Sequence, residues 1–240
     1  MNRSLPLPTV GNSAHWWARM SYILACEALS NGGSVCAMNE TGDDLPFDLP
    51  TGCGRAAGDL APALAAAIAA YGRPRALAVA AGPGSFTGLR IAVIAVRTLA
   101  WLDDLPIHPV DSLGALAMGY GHGTWWLGMS LKRDTTFTGV YRSDGQRVTT
   151  LSPAMPQADD QPWTRPTYDN LRLGGPALAD KPALRQWAGD LAIGPTRPLQ
   201  AGDVARAATS YAPVGWSDLL PDYRQVSGPE LQRAASKARS

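Results

Sequence analysis

This sequence is short of charge. Of 240 residues only 17% are Asp, Glu, Lys or Arg, and 21 basic residues nearly cancel 20 acidic ones, leaving +1. A chain so close to neutral lacks the basic field that grips nucleic acid unaided, and it leaves neutral surface for a protein partner. Histidine is scarce as well. His15, His108 and His122 are the full set, and no two stand four apart, which excludes a helical HExxH zinc-hydrolase site. With only His108 and His122 in the body of the chain, no Ser-His-Asp arrangement can be assembled. The cysteines Cys26, Cys36 and Cys53 are odd in number and lack CxxC spacing. They read as reduced thiols of a cytoplasmic protein. Cys26 and Cys36 could face each other across a hairpin, but buried structural thiols fit better. No apolar run approaches the roughly 18 residues of a membrane span. The opening "MNRSLPLPTVGNSAHWWARM" has a His and a Trp pair where a secretion signal needs an apolar core. Residues 1–20 are therefore expected to be an arm, with Trp16 and Trp17 docking on the body or on a neighbour.

What is present is 45% hydrophobic and punctuated by 25 Gly and 20 Pro, enough for one large domain or two lobes. "YILACEALSNGGSVCAMNE" reads as a hairpin from Tyr22 to Met38 turning at Asn31-Gly32-Gly33. Residues 41–54 read as loop. In "GDLAPALAAAIAAYG", Leu60, Leu64 and Ile68 recur at i, i+4 and i+8, the stripe of a helix, with Asp59 as N-cap and Pro62 in the first turn. "RALAVAA" is a strand, "PIHPVD" another, and Asp111-Ser112 caps a helix through "LGALAMG". The second half repeats the theme. "TWWLGMSL" and "TFTGVYRS" form a strand pair, an Asp-Gly turn leads to a third strand, and residues 152–168 read as loop. "LRLGGPALAD" runs from strand to loop, and "AGDVARAATSYA" is a short helix. The pattern is α/β.

"AGPGSFTGLR" joins strand to helix and admits three readings. A P-loop needs a Lys and a Ser or Thr at its close; "TGLR" supplies no Lys, and the spacing is wrong. A dinucleotide fingerprint is suggested by Gly82, Gly84 and Gly88, with Asp111 about twenty residues on, but the motif is one residue too long and a hairpin precedes it. In the structural reading Gly82 and Gly84 turn the chain off the strand, Ser85 or Thr87 caps the helix, and Phe86 packs beneath the turn. The helix holds Leu89, Ile91, Val93, Ile94, Val96, Leu99 and Leu102, with only Arg90, Arg97 and Thr98 as polar breaks. It is expected to be buried on most sides. On physical grounds alone the structural reading stands slightly ahead.

The strings "GPGSFTGLRI", "TLAW" and "LPIHPVDSLGALA" closely resemble the bacterial TsaB (YeaZ) family, the non-catalytic partners of TsaD in making threonylcarbamoyladenosine on tRNA. The resemblance runs from Tyr22 to about Arg224 and includes the hairpin, "GRAAGDLAPALAAAI", "LRLGGPAL" and "LPDYRQ". It implies a two-lobed actin/sugar-kinase-like fold with a ribonuclease-H-like unit in each lobe. The expected division is an arm (1–20), a first lobe (21–118), a second lobe (119–225) whose final helix either stays or returns to the first, and a polar tail (226–240). It also implies that first-lobe helices contact TsaD or a second copy. Here Leu60, Leu64, Ile68, Tyr71 and Ile94 would carry that interface. Gly82, Gly84, Ser85, Thr87, Gly88 and Arg90 would form a structural loop or a vestigial phosphate site. Two departures stand out. Glu27-Ala28-Leu29 occupies the place of the family's Asp-Thr-Ser. "SLKR" occupies that of Asp-Ala-Arg-Arg, with Lys132 and Arg133 keeping the charge and Ser130 replacing the acid. Both changes weaken any nucleotide site and leave a scaffold role untouched.

The expectation is thus a cytoplasmic, non-catalytic activator of a TsaD-like enzyme, with no cofactor or metal and with tRNA met only through the complex. A nucleotide-dependent enzyme using the Gly82–Gly88 loop, or a self-associating homologue with no tRNA role, are the alternatives. His108 is expected to be a packed histidine, Asp111 a helix cap, and the eight tryptophans core and rim residues.

Overall fold

In the computed structural model the described residues are 21–30, 32–47, 56–132, 135–160, 163–181 and 183–223. They form two five-stranded sheets with helices between and outside them. The first sheet takes β1 (Tyr22–Glu27), β2 (Ser34–Asn39), β3 (Asp44–Leu45), β4 (Ala76–Gly82) and β5 (Ile107–Asp111), in the order β3-β2-β1-β4-β5. Helices α1 (Ala56–Tyr71) and α2 (Phe86–Asp103) join its parallel strands, and α3 (Ser112–Tyr120) follows β5. The second sheet takes β6 (Gly123–Lys132), β7 (Thr135–Ser143), β8 (Val148–Ala158), β9 (Leu171–Gly174) and β10 (Ala192–Ile193), ordered β10-β9-β6-β7-β8. Short helices α4 (Ala177–Asp180) and α5 (Ala183–Ala188) accompany it, and α6 (Ala201–Ala207) follows. Each sheet has three antiparallel strands followed in the chain by two parallel ones. The repeated order is that of the ribonuclease-H-like unit, so the α/β two-lobed actin-like architecture is present.

Burial explains why β1 and β4 are central. Every residue of "YILACE" and of "ALAVAAG" is buried, as expected of strands covered on both faces. Alternate residues serve different cores. Tyr22, Leu24, Leu77 and Val79 join Leu60, Leu64, Ala92, Val93 and Val96 of α1 and α2. Ile23, Ala25, Ala76 and Ala78 face α3 and α6, which also meet Trp125, Leu127 and Tyr141 of the second sheet. That sheet's outer face packs Trp126, Val140 and Leu173 on Trp163, Leu178 and Leu184. The layers therefore run helices, sheet, helices, sheet, helices. Among the described residues no helix is long and apolar enough to cross a membrane.

Several local expectations are corrected. Helix α1 begins at Ala56, so Asp59 lies inside its first turn and Pro62 sits mid-helix, on the exposed side. There its missing N–H leaves one carbonyl to solvent. Residues 152–158 are strand, not loop, because β8 is a sheet edge and an edge tolerates Pro153 and Pro156. The turn residue Asn31 lies outside the described residues, while Gly32 and Gly33 take positive φ. Cys26 and Cys36 are both buried and free but belong to cores on opposite faces of the sheet. Cys53, the arm and the tail lie outside the described residues, as does Arg133.

Helix α6 is bolted to the first lobe. The Ala201 amide donates to Ser34 Oγ at 2.8 Å. Asp203, 1% exposed, meets Arg197 at 2.8 Å and Arg206 at 3.5 Å. Gly119 leaves room for this pair: a Cβ there would lie 2.2 Å from Asp203 Oδ1. Asp203→Asn should lower stability by about 2–3 kcal/mol, less than a wholly buried pair because both arginines reach water; thermal unfolding checks it. Burial, reinforced by the Glu27 charge, pushes the Cys26 thiol far up, and burial with the Asp44 charge lifts Cys36 to about 12. Both thiols are thus protonated at pH 8. A Cys53→Ser chain should show no thiol reactive toward Ellman's reagent within minutes at pH 8, and two after unfolding in guanidinium.

Candidate functional site: a filled glycine loop and an apolar helix face

Strand β4 ends at Gly82, and α2 starts four residues later. Ser85 is the N-cap, its Oγ accepting from the Gly88 amide at 3.0 Å, and its carbonyl accepts from the Leu89 amide at 2.9 Å. The glycines make room for the chain itself. Gly82, at φ 134°, faces the Asp222 carbonyl, which would lie 2.2 Å from a Cβ. A Cβ on Gly84 would lie 2.4 Å from the Leu29 side chain, and one on Gly88 2.0 Å from the Ala28 carbonyl. Asp222 in turn donates its amide to the Ala81 carbonyl at 2.7 Å. Residues 28–29 and the returning C-terminal segment pack directly against these glycines.

Glu27 holds that packing in place. It is fully buried, and its carboxylate takes four hydrogen bonds. Oε2 accepts from the Leu29 and Ser30 amides at 2.8 and 2.9 Å. Oε1 accepts from the Ser30 and Ser34 hydroxyls at 2.6 and 2.7 Å. An ionised carboxylate offers about four lone-pair positions, so Glu27 is saturated by its own hairpin. Asp111 is a helix cap, Oδ1 accepting from the Leu113 and Gly114 amides at 2.9 Å each. His108 Nδ1 lies 2.8 Å from the Tyr211 carbonyl, the position of a packed histidine.

The other expected site residues divide. Leu60 and Leu64 are 4% and 2% exposed and fill the core under α1. They are not exposed anchors, because an i, i+4 apolar stripe turns toward the sheet, although Leu60 borders the groove between α1 and α2 that Phe86 and Ile94 also line. Ile68 and Tyr71 are half-buried, and the Tyr71 hydroxyl donates to the Pro46 carbonyl. Ile94 is 61% exposed. Helix α2 is not buried on most sides. Leu89, Ala92, Val93, Val96 and Ala100 face inward, while Phe86, Ile94, Trp101 and Leu102 stand in solvent. Phe86 does not pack beneath the turn. It stacks on Tyr223 at 4.6 Å, with the Arg90 guanidinium 4.9 Å above its ring, and Thr87 is exposed beside it. The polar residues signalled this face: Arg90, Arg97 and Thr98 fall on the same helical stripe as Phe86, Ile94 and Trp101. Side chains of Lys132 and Arg133 lie outside the described residues.

Comparison with known proteins adds three findings. The family model described as TsaD, tRNA N6-adenosine threonylcarbamoyltransferase, matches residues 60–158. A protein of Bacillus subtilis (strain 168), tRNA threonylcarbamoyladenosine biosynthesis protein TsaB, is 41% identical over 68 residues. That stretch is 28% of this chain and 30% of the relative, so the match spans under a third of the relative's length. Two solved structures from Pseudomonas aeruginosa cover 86% and 85% of this chain and 100% of their own. One is described as similar to peptidase YEAZ, the other as YeaZ, with TM-scores of 0.69 and 0.68 and 21% identity each. The chain is thus similar in fold to the two YeaZ structures, and over a short stretch similar in sequence to the TsaB protein.

The packed loop makes a direct prediction. Gly88→Ala places a methyl against the Ala28 carbonyl, and overpacking of that kind costs about 1–3 kcal/mol. The melting temperature should fall by roughly 2–4 °C per kcal/mol for a chain of this size, as differential scanning calorimetry would show.

Proposed function

We propose that this chain is a non-catalytic partner of a TsaD-like enzyme in making threonylcarbamoyladenosine on tRNA, acting in the cytoplasm. The observation that carries this reading is the filled glycine loop. Gly82, Gly84 and Gly88 pack on Asp222, Leu29 and Ala28, and the nearby acid Glu27 is saturated by its own hairpin. A groove built to hold phosphate and metal needs those positions open. The name of the B. subtilis relative points to the same biosynthesis.

The exposed stripe of α2 is the surface offered to the partner, with Phe86, Ile94, Trp101 and Leu102 as its anchors. Large exposed aromatics and aliphatics flanked by arginines are what interface anchors are made of. The Ala-rich outer side of α1, with Ala61, Ala65 and Ala69 exposed beside it, allows close approach of another helix. With a formal charge of +1, the chain meets tRNA through the enzyme and not by itself. The same stripe also serves a second copy when the enzyme is absent.

The test is affinity capture of the TsaD-like protein of the same organism, using purified components. The parent chain should retain it near one to one. Ile94→Glu should weaken retention about 30-fold, the loss of roughly 2 kcal/mol at an interface anchor. Leu64→Ala should instead lower stability by about 2–5 kcal/mol and leave retention at low temperature intact. No capture by the parent chain would sink the proposal.

A further inference from the structure

The C-terminal half of α2 carries a groove lined by Ile94, Arg97, Thr98, Trp101 and Trp216. Three of these are large exposed apolar side chains: Ile94 and Trp101 are each 61% exposed and Trp216 is 40%. Beside it, α2 ends on the exposed carboxylates Asp103 and Asp104, where the partial negative charge of a helix C-terminus adds to theirs.

The end of the sheet next to this groove is where β1 begins. Leu24 pairs with Leu77, which pairs with Ile107. Two strand spacings, about 10 Å, thus separate Leu24 from Ile107. Ile107 exchanges both backbone hydrogen bonds with Val214, two residues before Trp216. The Tyr22 carbonyl accepts from the Arg75 amide at 2.9 Å, and Arg73 donates to the Asp103 carbonyl. Whatever precedes Ser21 leaves the fold beside the end of α2.

What precedes it fits the groove in chemistry and length. Residues 1–20 contain Leu5, Leu7, Val10, Trp16 and Trp17, the cations Arg3 and Arg19, and no acid. Trp17 is five residues before Tyr22, an extended reach of about 17 Å before its own side chain is counted. Arg97 offers a guanidinium for an indole face. Asp103 and Asp104 complement Arg19.

We propose that Trp16 and Trp17 seat in this groove of their own chain, with Arg19 set against Asp103 and Asp104. The arm then acts as an intramolecular cover over the C-terminal half of the α2 stripe. A partner that uses the whole stripe must displace it; that consequence, unlike the docking itself, rests on reading the stripe as a partner surface.

The experiment uses the purified full chain alone, with Trp17 replaced by the photoreactive p-benzoyl-phenylalanine. The expected result is an adduct within one chain, mapping to residues 94–104 or 214–217, with a yield unchanged on dilution. Trp101→Glu and, separately, Arg19→Glu should each remove most of that adduct. Trp101 lies outside the cores, so an unchanged melting temperature accompanies the loss in Trp101→Glu. Adducts to other regions would overturn the proposal. So would adducts joining two chains that fade on dilution, which would name a second copy as the occupant. Because no TsaD-like protein is present, failure here is separate from failure of the partner reading.

Discussion

The Glu27 carboxylate is the interaction on which the rest of the first lobe depends. Burying a charge is costly unless every lone pair is answered, and Glu27 is answered by two amides and two hydroxyls within its own hairpin. Those four bonds set the path of residues 28–30. That path is the floor against which Gly84 and Gly88 close, and so it sets where α2 starts. One of the two hydroxyls, that of Ser34, also receives the first amide of α6. A single side chain thus links the central strand, the glycine loop and the helix packed between the two sheets.

The α2 stripe and the loop form one functional argument. A kinase-like cleft holds its loop open to ligand and covers its outer helices with solvent-compatible side chains. Here the emphasis is reversed. The loop is closed by Leu29 and by the chain returning through Asp222, and the apolar residues that would ordinarily be hidden face outward on α2. A closed loop inside and apolar side chains outside are the two features on which the proposed partner role rests.

Much of this was legible in the residues. The hairpin, the Asp111 cap, a cap at Ser85 or Thr87 that the structure resolves to Ser85, and the strand pair of the second lobe follow from turn chemistry and periodicity that act over a few residues. The α/β class and the lobed architecture were legible as well, the latter through the unusual string around Gly82. What was not legible required knowing which side of a helix faces the sheet. Leu60 and Leu64 look like an exposed stripe until β1 and β4 are placed beneath them. Phe86 looks like a plug until Tyr223, more than a hundred residues away, arrives to stack on it. Pro153 and Pro156 look like loop until β8 is known to be an edge. Each miss is a long-range contact overriding a local rule.

The placement of α6 between the two sheets has a consequence for how the molecule meets other proteins. Clefted two-lobed proteins commonly pivot, and each closing event then costs the entropy of setting the angle between lobes. Here α6 is tied to the first sheet through Ser34, while α3, packed beside it, reaches β6, β7 and β8 of the second. The wedge they form packs against both sheets at once. With both sheets packed on one wedge, the proposed association has less inter-lobe freedom to order, which favours binding through a modest apolar face.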